Sequence, residues 1–174
     1  GFGDGGALTT NSKMIFESAV RLRNHGAKKK YDHKFPGRNS RLDTLQAAVL
    51  NIKLKKYNEV VKKRNKLAKL YIKNLQECKD VVNIKINKNF TYAFHQFVIR
   101  ANKRDSLIKY LKKSGIDTMI HYPYMLNELN FFPKGKNLIN SKNLGKKILS
   151  LPISEEHTEN EINYVSKKII QFYN

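Results

Sequence analysis

Two short segments carry residue types that could bind a ligand. His121, Tyr122 and Pro123 follow an alternating apolar run, so an imidazole and a phenol stand where a predicted strand ends. These groups suit a polyhydroxylated ligand. Asn39 and Arg41 precede a strongly periodic apolar pattern and should lie at a helix N-terminus. Free N–H groups and the helix dipole favour an anion there, to which an asparagine amide can donate.

Each segment also has a plain structural interpretation. Ser40 with Asp43 three positions later forms a capping-box arrangement that could simply start a helix. His121 could be an ordinary hydrogen-bonded structural histidine. The five histidines show no metal-ligand spacing, and Cys78 is the single cysteine. We therefore expect no metal site and no disulfide within the chain.

Apolar periodicity and capping residues predict the elements that must position these groups. The first half has a short strand at residues 5–10, a helix capped by Asn11 or Ser12, a basic loop at 27–38, and a long helix from Ser40 that should bend near 55–58. The second half has strands at 82–86, 94–100 and 116–120, a helix capped by Asp105, another ending near Leu149, and a last one after the capping box of Thr158 and Glu161. The second half suffices for a compact domain, whereas the first cannot close a core alone.

The charge balance is strongly basic, with 34 Lys and Arg against 14 Asp and Glu. Such an excess fits an anionic substrate or a nucleic-acid partner. However, Lys, Asn and Ile are abundant together and the lysines are spread along the chain, which is typical of an A/T-rich coding genome. No basic–aromatic motif supports specific nucleic-acid binding, so we expect no nucleic-acid partner. No apolar run reaches the roughly 18 residues of a membrane span, and we expect a cytoplasmic protein without membrane contact.

Five sequence blocks occur in a fixed order. They are Gly3-Asp4-Gly5-Gly6-Ala7-x-x-Thr10-Asn11, Leu22-Arg23-Asn24-His25-Gly26, Asn39-Ser40-Arg41-Leu42-Asp43-x-x-Gln46-Ala47-Ala48, Ile120-His121-Tyr122-Pro123 and Leu149-Ser150-Leu151-Pro152-Ile153. This series resembles the nucleotide-sugar aminotransferases of the DegT/DnrJ/StrS type, which are fold-type I enzymes dependent on pyridoxal 5'-phosphate. The resemblance covers essentially the whole chain.

The resemblance implies an α/β fold that forms the C-terminal portion of a fold-type I aminotransferase. Residues 1–57 would be a remnant of the large cofactor-binding domain, and residues 58–174 a small α/β domain with a mixed sheet. In similar enzymes the Schiff-base lysine lies just before the Gly-Asp-Gly-Gly turn. We therefore expect that lysine upstream of Gly1, no catalytic residue within this chain, and no activity of this piece alone.

The resemblance also implies roles for individual residues. Asn39 would bind the cofactor phosphate of the other subunit in a homodimer with shared active sites, and Arg41 and Gln46 would organise the interface. His121 and Tyr122 match the motif that helps hold the hexose in relatives acting on 3-keto sugars. Close relatives often continue with a polar Pro-x-His-x-Gln-like segment, whereas residues 124–129 differ here, which leaves the sugar and nucleotide preference open.

The implied reaction transfers an amino group from an amino acid, commonly glutamate, to a keto-deoxysugar nucleotide for surface polysaccharide. Two alternatives stay open on the residues alone. One is a non-catalytic, partner-binding fragment that borrows a cofactor site from a separate chain. The other, ranked last, is a basic nucleic-acid-binding module.

Overall fold

The computed structural model of the protein describes residues 2–87, 89–132 and 138–174. Gly1, upstream of which the catalytic lysine is expected, lies outside these residues. The chain divides into two compact units, Gly1–Tyr57 and Asn58–Asn174. Within the described ranges, no helix is both long and apolar enough to cross a membrane.

The first unit contains one short helix, a hairpin and the start of a long helix. Helix α1 spans Lys13–Leu22, strands β1 (Ala27–Lys29) and β2 (Asp32–His33) pair antiparallel, and helix α2 spans Thr44–Leu75. The predicted cap of α1 is confirmed, because Oγ of Ser12 accepts a 3.4 Å hydrogen bond from the Ile15 N–H. The predicted loop at 27–38 instead contains the hairpin. The predicted strand at 5–10 is wrong, since this segment has no ladder partner among the described residues.

The long helix begins later and runs further without interruption than its sequence pattern predicts. It starts at Thr44 rather than just after Ser40, because the backbone around Asn39 is used in pairing with another segment. The predicted bend near 55–58 is not a helix end. That stretch contains neither glycine nor proline, so nothing in it removes a helical hydrogen bond.

A three-stranded sheet forms the centre of the second unit. Its order is β3 (Val81–Val82), β4 (Phe97–Ala101) and β5 (Ile148–Leu151), with Val98 opposite Ser150. The other elements are α3 (Arg104–Lys113), a 3₁₀ turn (Leu126–Glu128), α4 (Ile139–Gly145) and α5 (Glu159–Tyr173).

The core of this unit joins the C-terminal part of α2 to the sheet and to helices α3 and α5. Its fully buried large side chains are Leu67, Tyr71, Leu75, Phe97, Ile99, Leu107, Leu111, Leu149, Ile162 and Ile169. The Tyr71 and Phe97 rings stack with centroids 4.9 Å apart. The Tyr71 hydroxyl donates to the Pro152 carbonyl at 2.9 Å, which satisfies the one polar group that this ring brings into the core.

The α/β class is confirmed, with three corrections to the strands. The predicted strand at 116–120 makes one isolated antiparallel bridge, between Met119 and Ser150. The segment around Leu149, predicted to end a helix, is strand β5. The pairings of β3 with β4 and of β4 with β5 are both antiparallel, whereas a mixed sheet was expected. The strand predicted at 82–86 is limited to β3. The capping box of α5 is confirmed by reciprocal bonds between Thr158 and Glu161.

Candidate functional site

Two motif blocks of the first unit pair with each other along their backbones. The His25 N–H donates to the Arg38 carbonyl, the Arg38 N–H to the Leu22 carbonyl and the Ser40 N–H to the Arg23 carbonyl, at 3.0, 2.9 and 2.9 Å. Asn24 and Asn39 face each other in an antiparallel bridge. The backbone of Asn39 is therefore fixed by tertiary pairing rather than by a helix cap.

Two glycines make this pairing possible. Gly26 is buried at φ +72°, and a Cβ there would lie 1.7 Å from the Phe35 carbonyl oxygen. A Cβ on Gly37 would lie 2.1 Å from the Gly26 nitrogen. No side chain fits at either position, so the Leu-Arg-Asn-His-Gly block needs its final glycine for close backbone approach.

The glycine-rich block lies against the start of α2. The Phe2 N–H donates to Oε1 of Gln46 at 2.7 Å, and a Cβ on Gly3 would lie 3.0 Å from Nε2 of the same side chain. The first three motif blocks thus meet in one place. Between them lies a cavity of about 890 Å³ whose lining includes Gly5, Gly6, Phe16, Ser40 and Arg41.

The side chain of Asn39 is exposed and held in one orientation. Its Oδ1 accepts a 3.0 Å hydrogen bond from Nε of Arg41, so the two amide atoms are distinguished by this contact. Among the described residues, Nδ2 has no hydrogen-bond partner. The amide therefore presents two N–H donors beside a guanidinium, a donor set that fits a phosphate group.

In the second unit, His121 is half-buried and hydrogen-bonded to strand β5. Its Nδ1 lies 2.9 Å from Oγ of Ser150, which is 7% exposed. The Tyr122 ring is 71% exposed and meets the imidazole edge-on, with centroids 5.7 Å apart. The peptide bond between the two residues is cis. The edge-on contact makes an imidazole and a phenol neighbours, and the phenol is exposed.

The shifted pKa values in the second unit belong to structural groups. Burial raises the pKa of the Tyr71 hydroxyl strongly and that of Tyr173 to about 12. Burial also raises the pKa of the Cys78 thiol. Hydrogen bonds from Thr158 lower the pKa of Glu161, as expected for a capping carboxylate. Across the described residues, no three His, Cys, Asp or Glu side chains form a group that could hold a metal ion.

The structure places the predicted site residues in different units. Asn39 belongs to the first unit, whereas His121 and Tyr122 are neighbours in the second. Sequence reasoning named Arg41 for its charge but not for its contact with Asn39, and it assigned no role to Ser150, which contacts His121. For Ser150, the available signal was a polar residue within an apolar run that also matched a motif block.

Known proteins resemble the chain over nearly its full length. It is 39% identical to a pleiotropic regulatory protein of Geobacillus stearothermophilus, with 99% of this chain and 48% of the relative covered. It is 32% identical to a dTDP-3-amino-3,6-dideoxy-alpha-D-galactopyranose transaminase of Aneurinibacillus thermoaerophilus, with 97% of this chain and 47% of the relative covered. The chain spans about half the length of these curated relatives.

Solved structures agree in fold. The crystal structure of S. venezuelae DesV in complex with a ketimine intermediate superimposes with a TM-score of 0.89 at 29% identity, covering 95% of this chain and 46% of that one. The sequence profile of the DegT/DnrJ/EryC1/StrS aminotransferases, whose members use pyridoxal 5'-phosphate, matches residues 1–170. The chain belongs to the DegT/DnrJ/EryC1/StrS aminotransferase family.

Proposed function

We propose that this chain is the C-terminal portion of a pyridoxal-phosphate-dependent sugar aminotransferase. The complete protein would transfer an amino group from an amino acid, with glutamate as the expected donor, to a keto-deoxysugar nucleotide for surface polysaccharide. Family membership, a relative named as a nucleotide-sugar transaminase and the half-length coverage support this proposal. Residues 1–57 would belong to the large cofactor domain and residues 58–174 to the small domain.

The observation that carries the proposal is the Asn39 amide held by Arg41. With Oδ1 engaged at 3.0 Å, Nδ2 is the atom available to donate to a phosphate oxygen. The exposed guanidinium of Arg41 adds positive charge beside that donor. We expect this pair to bind the cofactor phosphate across a homodimer interface, which makes the active site a shared one.

Pyridoxal phosphate would supply the electron sink for amino transfer, while the protein binds and orients the reacting groups. In this chain, His121 and Tyr122 would orient the hexose. Their polar atoms are the imidazole Nε2 and the phenol oxygen, both suited to sugar oxygens. The strongly basic composition would favour approach of a nucleotide diphosphate, whose charge is negative.

The proposal is tested with the complete protein encoded by the source gene. Purified protein should carry pyridoxal phosphate, and glutamate should convert its absorbance to that of the amine form. A nucleotide-linked keto sugar should then restore the original spectrum. If only α-keto acids restored it, the protein would be an amino-acid aminotransferase. If no cofactor were retained, the assignment of Asn39 to a phosphate site would fail.

A further inference from the structure

Ser150 is a buried polar residue that has no role in the proposed reaction as described above. Its backbone is fixed from both sides, by pairing with Val98 in β4 and by exchanging hydrogen bonds of 2.8 and 3.2 Å with Met119. Because side chains alternate along a strand, Ser150 lies on the face opposite Leu149 and Leu151, which pack in the core.

The same pairing explains why Ser150 reaches His121. His121 lies two residues beyond Met119, so it is the diagonal neighbour of Ser150 on one face. A side chain as long as histidine can span such a diagonal, and Nδ1 of His121 lies 2.9 Å from Oγ of Ser150. Among the residues that the structure describes, Oγ of Ser150 has no other hydrogen-bond partner, and neither does Nε2 of His121.

This arrangement selects one form of the imidazole. If Nδ1 carried the proton in the neutral ring, Oγ would accept a hydrogen bond from Nδ1–H. The buried hydroxyl hydrogen would then have no acceptor, which is costly. If Nε2 carries the proton, the hydroxyl donates to Nδ1 and both groups are satisfied. In the charged ring, Nδ1 donates to Oγ, which again leaves the hydroxyl hydrogen without an acceptor. The arrangement that satisfies both groups is therefore the neutral ring with Nε2 protonated, in which Nε2–H is a free donor.

We infer that Ser150 is a positioning residue that holds His121 as an Nε2–H donor for an oxygen of the bound sugar. The sugar part of this inference rests on the proposed function, whereas the tautomer part does not. Ser150 acts only through His121. Its loss should therefore affect the step in which the sugar binds and leave the amino-donor step unchanged.

The tautomer is measured by ¹⁵N NMR of the histidine rings in the complete protein, at about pH 8.5 to favour neutral imidazole. Comparison with His121→Asn assigns the His121 signals among those of the other histidines. We expect Nδ1 in the unprotonated range and Nε2 in the protonated range. In Ser150→Ala, the two shifts should move toward each other as the second tautomer becomes populated, and Ser150→Thr should retain the original pattern. A protonated Nδ1 in the unchanged protein, or identical spectra in Ser150→Ala, would overturn the inference.

Kinetics test the consequence for the sugar. Ser150→Ala should raise KM for the keto-sugar nucleotide about fivefold to tenfold with little change in the glutamate half-reaction, as expected for loss of one oriented hydrogen bond. Ser150→Thr should retain most of the affinity, and melting temperatures identify any loss of fold. An unchanged KM in Ser150→Ala would overturn the positioning role. If the NMR pattern holds but the unchanged protein aminates no sugar, the proposed function fails and the tautomer assignment stands.

Discussion

Nε of Arg41 donates a 3.0 Å hydrogen bond to Oδ1 of Asn39, two residues earlier in the chain. Both side chains are exposed, yet the backbone of Asn39 is fixed opposite Asn24. The contact therefore sets which end of the amide faces outward, on a backbone that tertiary pairing has already placed. This is the arrangement expected of a preorganised donor for an anion.

Replacing Asn39 should weaken cofactor retention with little loss of fold. In the complete protein, Asn39→Ala removes one charge-assisted hydrogen bond, about 1.5–3 kcal/mol or roughly 10- to 100-fold in affinity. A titration of apoprotein with pyridoxal phosphate, followed by absorbance, gives the dissociation constant. Asn51→Ala, on an exposed part of α2, is the matched control and should change nothing. Equal affinity of Asn39→Ala and the unchanged protein would remove Asn39 from the phosphate site.

The 174-residue chain by itself should form no specific Schiff base, because none of its lysines occupies the expected motif position. Pyridoxal phosphate is added, the mixture is reduced with borohydride, and labelled peptides are mapped by mass spectrometry. We expect low labelling scattered over several lysines. Stoichiometric labelling of a single lysine would show that the reactive residue lies within this chain.

The buried Tyr71 and the partly buried Tyr173 should make the second unit sensitive to alkaline pH. The folded pKa of Tyr173 is about 12 against an ordinary value of 10.0, and burial raises that of Tyr71 as well. The folded state thus holds these protons more tightly. The two protonated tyrosines therefore contribute fully to the free energy of unfolding below about pH 10, and this contribution declines as the pH rises through their folded pKa values. Urea unfolding between pH 8 and pH 11 should show this decline, and a flat profile would contradict it.

Tyr71→Phe removes the hydroxyl and keeps the ring, so it measures the contribution of the hydroxyl alone. It should destabilise the chain by about 1–3 kcal/mol near neutral pH, because the Pro152 carbonyl loses its 2.9 Å donor. It should also make the alkaline decline shallower, since one buried titrating group is gone. Tyr31→Phe, at a ring 83% exposed, is the control and should stay within about 0.5 kcal/mol. A Tyr71→Phe variant as stable as this control would argue against the buried hydrogen bond.

Capping signals in the sequence located some helix starts and misplaced others; Asp105, expected to cap a helix, lies inside α3, whose N-cap is Lys103. Ser12 and the pair of Thr158 and Glu161 located two helix starts, because a cap acts within one turn. Strand β5 was missed because a short apolar run does not distinguish a strand from a buried helix end. The start of α2 was misplaced because the pairing of Asn39 with Asn24 is a tertiary interaction that no cap pattern encodes.

The candidate site likewise depends on tertiary contacts that local sequence signals do not encode. The motif blocks identified Asn39, Arg41, His121 and Tyr122 as residues to consider, but not the contacts that orient Asn39 and His121. The contact between His121 and Ser150 joins residues 29 positions apart and depends on strand register. Register becomes known only when the partner strand is known, so Ser150 could not be assigned a role from the sequence.

The basic composition should produce only weak, non-specific nucleic-acid binding. Phosphate contacts made by scattered lysines release counterions, so the affinity should fall steeply between about 50 mM and 200 mM salt. Fluorescence anisotropy with two unrelated DNA duplexes should give similar curves. Nanomolar binding to one sequence at physiological salt would favour a nucleic-acid function over the aminotransferase proposal.

The sugar-binding assignment makes a sharp prediction about the two half-reactions of the complete protein. His121→Asn and Tyr122→Phe should each raise KM for the keto-sugar nucleotide about tenfold, roughly one hydrogen bond, while the reaction with glutamate is unchanged. A group that contacts one substrate acts only in the half-reaction of that substrate. Tyr122 is largely exposed, so its substitution should leave the melting temperature unchanged.

The most direct measurement is therefore the rate of each half-reaction in Tyr122→Phe and His121→Asn, observed by stopped-flow absorbance of the cofactor with melting temperatures alongside. We expect a selective loss in the sugar half-reaction of both variants. Equal losses in both half-reactions, accompanied by lower melting temperatures, would contradict this expectation and make these two residues structural.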